Sequence, residues 1–532
     1  MYKLFLCLRY LRKRRIAFFA IAAVWLCTAM VLIVVSVMGG FLDMVKARSR
    51  GLLGDLIMEN GALQGFPFYQ EFIDQIKKEM PDRIEEATPV IVNYGLLRFP
   101  SSNITKPVQV VGIRFEETCR VNDFRKGLFL ERYYPGTDTL APQKIPGFGL
   151  DASGEIVLPP EFQAAYERWL KTATPAEKAE ARRQRTGPYP GPGLFYPAHY
   201  IEPNQTQPGW VGDPEPGLIV GVDVCAKRLP NGEYERYYQR GYKLLLTLLP
   251  LTPKGTLAGG GTSAPTIAFH LVDDSCTGVY DIDSVSVYGD FDIIQNALLM
   301  GETRREDGTR IPPRATQVQI KVREQATPEK THRFAIETRK LLQDRWANFM
   351  EAHLDQTTEP MLLSEVEIKT WEEKQAKFIM AVEKEKILVT ILFCIISLVA
   401  VLLVGCIFYM IVQQKTRDIG IVKSVGATWH GVAGIFLAYG AAVGVVGGIL
   451  GLICGAVFVH YINDIQDLLT RLNPNLQVWS PEVYTFSRIP NNVKPWDVGV
   501  IFVVAILASM TGSLIAAVKA ARVWPVEALR YE

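Results

Sequence analysis

The chain has 532 residues, a formal net charge of +2, 21% charged residues and 48% hydrophobic residues. That length exceeds what one hydrophobic core organises. The balanced charge excludes both the basic footprint of a nucleic-acid binder and the polar composition of a disordered chain. The informative property is how unevenly the apolar residues are spread.

The chain opens with a basic stretch, residues 1–15, carrying Lys3, Arg9, Arg12, Lys13, Arg14 and Arg15. The periodicity reads as an amphipathic N-terminus. Residues 16–38, Ile16 to Met38, then contain no charge, and as a helix would span roughly 35 Å, enough for a hydrocarbon core. The run is long and lacks an A-x-A-like cleavage site, so it reads as a retained anchor rather than a secretory signal. Three more charge-free runs follow, at 387–412, 431–459 and 498–518, giving spans assigned to 387–412, 429–460 and 497–518. Four such runs predict four transmembrane helices. The Gln413–Thr428 loop carries Lys415, Arg417 and Lys423, and the tail 519–532 carries Lys519, Arg522 and Arg530. Because lysine and arginine stay on the cytoplasmic side, these segments and the N-terminus are expected inside. Residues 39–386 and the 461–496 loop are then expected outside.

The external region begins with the pattern of a strand, a helix over about Tyr69–Met80, and a strand pair through "VIVNYGLLRF". Near its end, "ATQVQIKVREQATPEKTHRFAIETRKLLQDRW" and "SEVEIKTWEE" repeat strand, helix, strand. The fold class expected is α+β, a split ferredoxin-like domain with a β-rich subdomain inserted at about 116–314. The first half of that insertion, 116–215, is rich in proline and glycine and reads as loops around a helix near Pro175–Arg183. "YKLLLTLLPL", "TIAFHLVDD" and "SVSVYGDF" in the second half read as strands. "KGTLAGGGTSAP", Lys254 to Pro265, joins two of them, as a flexible connector or as a partner-binding hairpin. From Trp371 onward, Phe378, Ile379 and Val382 keep helical spacing, so the second span is expected to extend outward as a stalk. "FLDMVKARSRGLLG" is its candidate partner.

Eight cysteines form no CxxC pair. Cys7, Cys27, Cys394, Cys406 and Cys454 fall in or beside the spans as packing residues. Cys119, Cys225 and Cys276 allow at most one external disulfide, or three free thiols. Walker A, HExxH and GxSxG patterns are absent from the 532 residues, the six histidines lack ligand spacing, and the spans carry no acid or lysine. A catalytic role, a metal site and an ion-coupled relay are therefore not expected.

Two motifs carry a message. The third span has glycine at 440, 444 and 448, and again at 447, 451 and 455. Gly440, Gly444, Gly447, Gly448, Gly451 and Gly455 thus form two interleaved small-residue series that let helices approach closely. Ordinary glycine enrichment of membrane helices is the alternative. In the loop before it, Thr416 is a candidate cap, Ile419, Val422 and Val425 fall on one face, and Gly426 suits a left-handed stop. So short a helix must pack on something. Docking on a cytoplasmic protein and lying on anionic headgroups are both open.

The stretch "KTRDIGIVKSVGA", Lys415 to Ala427, and the ending "AARVWPVEALRYE" resemble the FtsX-like permease superfamily of ABC transporters, which includes MacB. The phrases "SVMGGFLDMV", "VQVVGI", "GLIVGVDVCAKRL", "LLTLLPLTPKG", "DIDSVSVY", "VEIKTWEE" and "MAVEKEK" are similar to the lipoprotein-releasing LolC/LolE type. The resemblance implies a multi-pass permease of the bacterial inner membrane with a MacB-like periplasmic domain, paired with a second copy or paralogue. It implies a separate cytoplasmic ATPase that holds ATP and Mg, with no cofactor on this chain. Lys415, Arg417, Asp418, Ile419, Gly420, Val422, Lys423 and Gly426 would form the helix that couples to it. Thr252, Pro253, Lys254 and Gly255 match the hairpin that recruits a periplasmic chaperone, which takes the released lipoprotein. The competing readings are a MacB-like efflux permease, for which a fused ATPase is expected, an FtsX-like signalling subunit controlling wall hydrolases, for which a smaller external domain is expected, and a static receptor.

Overall fold

The computed structural model describes residues 15–100, 102–131, 136, 139–146, 149–150, 156–157, 160–176, 178, 210–228, 234–238, 241–252, 254–257, 264–304, 310–356, 360–472, 489–522 and 524. The amphipathic N-terminus, most of the Pro175–Arg183 helix, Gly259 to Gly261 and the "PVEALRYE" ending lie outside these residues. The described residues form two compact units, one built on Lys46–Ala376 and the other holding the four apolar helices.

Along the chain the principal elements are α1 (Arg15–Leu53), β1 (Leu56–Glu59), α2 (Tyr69–Glu79), β2 (Ile84–Phe99), β3 (Ile104–Ile113), β4 (Gly217–Gly221), β5 (Lys243–Leu248), β6 (Thr266–Ser275) and β7 (Ser286–Asp290). They continue with β8 (Gln317–Val322), α3 (Pro328–His353), β9 (Glu367–Thr370), α4 (Ala376–Gln414), α5 (Thr416–Ser424), α6 (Trp429–His460), α7 (Ile462–Leu472) and α8 (Pro495–Arg522). The insertion also contains a helix, Pro160–Thr172, earlier in the chain than the one read at Pro175.

The Lys46–Ala376 unit is organised by one long strand. β2 runs for 16 residues where the sequence suggested two strands, because its alternation continues through Asn93-Tyr94-Gly95 without turning. Its first half belongs to the antiparallel order β2-β8-β1-β9, against which α2 and α3 pack. Phe72 of α2 meets Trp346 and Phe349 of α3 edge-on at 4.9 and 5.2 Å. The second half of β2 pairs with both β3 and β5, closing the ring β2-β3-β7-β4-β6-β5 into a six-stranded barrel. Leu97, Phe99, Val108, Val110, Leu218, Val220, Leu244, Leu246, Phe269, Leu271 and Val287 are buried together at period-two spacing, as a barrel interior requires. Gly95 lies where β5 joins: a methyl there would meet the Thr247 carbonyl at 2.7 Å. The β-rich part therefore begins within β2, ahead of residue 116.

The capping chemistry is local. Pro328 follows the cap Thr327, whose hydroxyl accepts from the Lys330 amide. Thr370 and Glu373 form a reciprocal capping box on the short helix Trp371–Lys374. That short helix ends in a turn at Gln375, so the stalk helix begins at Ala376 rather than running on from Trp371. No disulfide joins Cys119, Cys225 and Cys276 to one another.

The second unit contains α1, α4, α6 and α8, which among the described residues are the four helices long and apolar enough to cross a membrane. α8 carries Asp497 in its first turn and Lys519 and Arg522 in its last, matching the helix dipole. α6 is the centre of the packing. Gly440, Gly444 and Gly448 face α8: methyl groups there would meet Ser513 Cβ at 2.7 Å, Ile506 Cα at 2.8 Å and the Phe502 ring at 3.1 Å. Gly447, Gly451 and Gly455 face α1, with Val24 Cβ at 2.9 Å, Thr28 Cβ at 2.7 Å and the Ala29 carbonyl at 3.1 Å from such methyl groups. Each glycine series thus serves a different neighbour. Ser509 Oγ donates to the Gly440 carbonyl at 2.7 Å across the α6–α8 contact.

This division makes the two faces separable. Gly444→Leu is expected to force α6 from α8, and Gly451→Leu to force α6 from α1, each at a cost of about 1–3 kcal/mol. Disulfide trapping between introduced cysteine pairs reads them independently. The α1–α6 pair should still form in Gly444→Leu and fail in Gly451→Leu, with the reverse for α6–α8. Unchanged trapping of both pairs in both variants would refute the assignment.

Candidate functional site

The turn between α4 and α6 carries the residues with the strongest functional pattern. α4 stops at Gln414, and Lys415 occupies the cap of α5 without a side-chain cap bond, its ammonium pairing instead with Asp418. Thr416 is not the cap. It stands inside the helix, and its hydroxyl donates back to the Gln413 carbonyl at 2.9 Å and the Val412 carbonyl at 3.1 Å. Gly426 has φ +98°, a conformation that disfavours side chains, and it ends the helix with its amide donating to the Lys423 carbonyl at 3.0 Å. Thr428 then caps α6 by accepting from the Gly431 amide at 3.2 Å.

The apolar residues of α5 divide between two environments. Ile419 is 6% exposed, in a cluster with Phe408, Ile411, Val412, Val432 and Ala520. Gly420 is buried beside it. Val422 and Val425 are exposed, Val425 at 84%, as are Ile421 and Trp429. Ile419 therefore does not share a surface with Val422 and Val425. Steps of three residues lag the helical period by about 60° each, enough to carry Val425 away from the buried side. Lys423 also turns inward: its ammonium donates to the Ala521 carbonyl at 2.7 Å, near the end of α8. Arg417 is exposed, and Asp418 is held by Lys415.

Ile419, Gly420 and Lys423 thus fasten α5 to its own unit, while Arg417, Ile421, Val422, Val425 and Trp429 form what it presents. Sequence reasoning missed Ile421 and Trp429. The signal for Trp429 was its place directly after the cap Thr428, on the first turn of α6. An exposed apolar group with one cation at its edge can seat in a partner's groove or on headgroups, and has no means to do chemistry.

A second predicted site lies in the other unit. Thr252 and Thr256 close a tight turn, with the Thr252 amide donating to the Thr256 carbonyl at 2.8 Å and their hydroxyls 2.8 Å apart. Gly255 takes φ +79° at its tip, and Lys254 is exposed. Pro253 lies outside the described residues. Gly255 is backed by the Gln64 side chain. The Gln64 carbonyl in turn accepts from the buried guanidinium of Arg314 at 2.9 Å. Burial pushes that guanidinium down to about 10, and its other carbonyl contact is Leu299 at 3.1 Å. Arg314 was not singled out in the sequence. Among the described residues no group of His, Cys, Asp and Glu could hold a metal ion.

The burial difference on α5 sets a direct test. Ile419→Asp is expected to destabilise the helix unit by about 3 kcal/mol or more, since the carboxylate has no partner in the cluster. Val425→Asp should stay within about 0.5 kcal/mol of the parent. Thermal unfolding of the two purified variants checks this, and equal midpoints would place Ile419 outside the core.

Comparison with known proteins places the α4–α8 region in a family. Residues 390–525 match the FtsX-like permease C-terminal family. The chain is 29% identical over 165 residues to the lipoprotein-releasing system transmembrane protein LolC of Xylella fastidiosa, a stretch covering 31% of this chain and 40% of that one. To LolC of Haemophilus influenzae it is 31% identical over 167 residues, covering 31% and 39%. To LolE of the same organism it is 27% identical over 143 residues, covering 25% and 33%. The chain thus spans about two fifths of the length of the LolC proteins it matches. Residues 390–525 thus match an FtsX-like permease C-terminal domain, and part of the chain is similar to LolC and LolE.

Proposed function

We propose that this protein is the permease subunit of an ABC transporter that releases lipoproteins from the inner membrane to a periplasmic chaperone. The carrying observation is α5. It is a nine-residue helix set between two membrane-length helices, fastened by Ile419 and Lys423, and turning Arg417, Val422 and Val425 outward. A helix held from behind and apolar in front suits rigid transmission of a push from a cytoplasmic ATPase. The permease itself binds no nucleotide in this reading; ATP and Mg belong to the ATPase.

The remaining parts take their places around that reading. The two termini and α5 are cytoplasmic, and Lys46–Ala376 is periplasmic. The β2-β8-β1-β9 order with α2 and α3 is the split ferredoxin-like porter part, and the barrel is the β-rich addition. The outer ends of α1 and α4 act as stalks. The tight turn at Thr252–Thr256 is the candidate chaperone contact, and a second permease copy or paralogue completes the transporter. Similarity to LolC and LolE favours lipoprotein release over efflux or control of wall hydrolases.

The test is co-purification with the ATPase. Val422→Asp with Val425→Asp should insert and fold normally yet lose ATPase association and ATP-driven lipoprotein release together. Because these side chains are exposed, a loss cannot be ascribed to a damaged core. Normal association and release in the double variant would leave α5 as a membrane-surface helix only.

A further inference from the structure

α7 is arranged opposite to a helix that faces water. Its polar side meets its own unit. Asn463 Oδ1 accepts from the Ile489 amide at 2.7 Å, and its Nδ2 donates to the Ile489 carbonyl at 3.4 Å. Gln466 on the same side is buried, and Thr470 is half-buried. The apolar side is turned outward, with Leu468 59% exposed and Leu469 also exposed. On a helical wheel Ile462, Ile465, Leu468 and Leu469 occupy a sector of about 120°. Ile462 and Ile465 are half-buried, and Asp464 and Asp467, both exposed, lie side by side beyond the Leu468 edge of the stripe. Had water covered this helix, leucines would face the unit and amides the solvent.

We propose that α7 lies flat on the bilayer surface, with Leu468 and Leu469 in the boundary between headgroups and acyl chains. What covers the stripe is indicated by its continuity with α6. Ile453, Val457 and Tyr461 are exposed at steps of four along the outer face of that membrane-length helix. Tyr461 is the single residue between α6 and α7. The level is marked a second time at the start of α8. Trp496 is 80% exposed there, and Asn491 just before it donates to the Val459 carbonyl at 3.1 Å. A tyrosine ending one span and a tryptophan opening the next, tied together by Asn491, mark the interface where amphipathic rings collect. The two carboxylates beside the stripe point away from an anionic surface and toward zwitterionic lipid. The proposal requires α6 and α8 to cross the bilayer, and does not depend on which cargo or ATPase the permease serves.

The experiment uses the full chain in nanodiscs of phosphatidylethanolamine and phosphatidylcholine. A spin label on a ketone-bearing residue at position 468, and separately at 467, is probed with oxygen and with a water-soluble nickel complex. The expected result is an oxygen-to-nickel collision ratio several-fold higher at 468 than at 467. In parallel, the unsubstituted protein is irradiated in nanodiscs containing lipid with a diazirine near the headgroup. Lipid adducts are expected on the peptide carrying Leu468 and Leu469. Ready access of nickel to 468 would overturn the proposal by placing the stripe in water. Shielding of 468 from both probes, with no lipid adducts, would overturn it by placing a protein there, a second copy being the first candidate.

Discussion

The helix unit rests on close backbone approach. Hydrocarbon offers no hydrophobic drive for one apolar helix to bind another, so association must come from contact and from polar groups that find partners. α6 satisfies both conditions by giving up side chains. Its two glycine series bring α8 to one side and α1 to another, and at the first contact Ser509 reaches the Gly440 carbonyl. α4 is joined to the same group at a small-residue crossing, where Gly405 meets the backbone of Gly512, and through Phe408, whose ring packs against Tyr439 of α6. Most of its surface stays exposed, available to lipid or to another subunit.

The anchoring of α5 follows from this frame. The ends of α4, α6 and α8 converge, and α5 closes over them with Ile419 as its plug. Lys423 adds a directional bond to the α8 backbone. A displacement of α5 therefore acts on α4, α6 and α8 at once. The outward residues then have the freedom to be shaped by a partner, because they are not needed for folding.

Much of this was legible in the residues. Charge-free runs located the four membrane-length helices, since one lysine or aspartate in hydrocarbon is costly enough to leave a clear signal, but α1 continues to Leu53 and α4 starts at Ala376, well beyond their runs. The glycine spacing announced close packing, but spacing alone does not name the neighbour, and it took coordinates to separate the α1 face from the α8 face. The strand–helix–strand segments were readable from period and turn residues. Closure of the barrel was not, because it depends on Gly95 meeting Thr247, a contact between residues far apart in the chain. On α5 the pattern of Ile419, Val422 and Val425 looked like one face. Tertiary packing chose Ile419 alone, and the terminal valine drifted outward. The capping box at Thr370 and Glu373 stood in plain sight as T-W-E-E, yet the helical spacing of the following residues masked it.

The long strand β2 has a consequence for how the chain is assembled. Its ladder is complete only when three partners have arrived: the adjacent hairpin strand 104–113 first, then two distant in the chain, 245–248 and last 317–322. Until the last of these leaves the ribosome, half of β2 remains an open edge. Such dependence on non-local pairing slows folding and leaves a sticky intermediate. The charges at Glu85 and Glu86 lie on that waiting half, and in the finished fold they pair with Lys321 and with Lys77 and Arg120. During synthesis they would act as guards against pairing with another nascent chain.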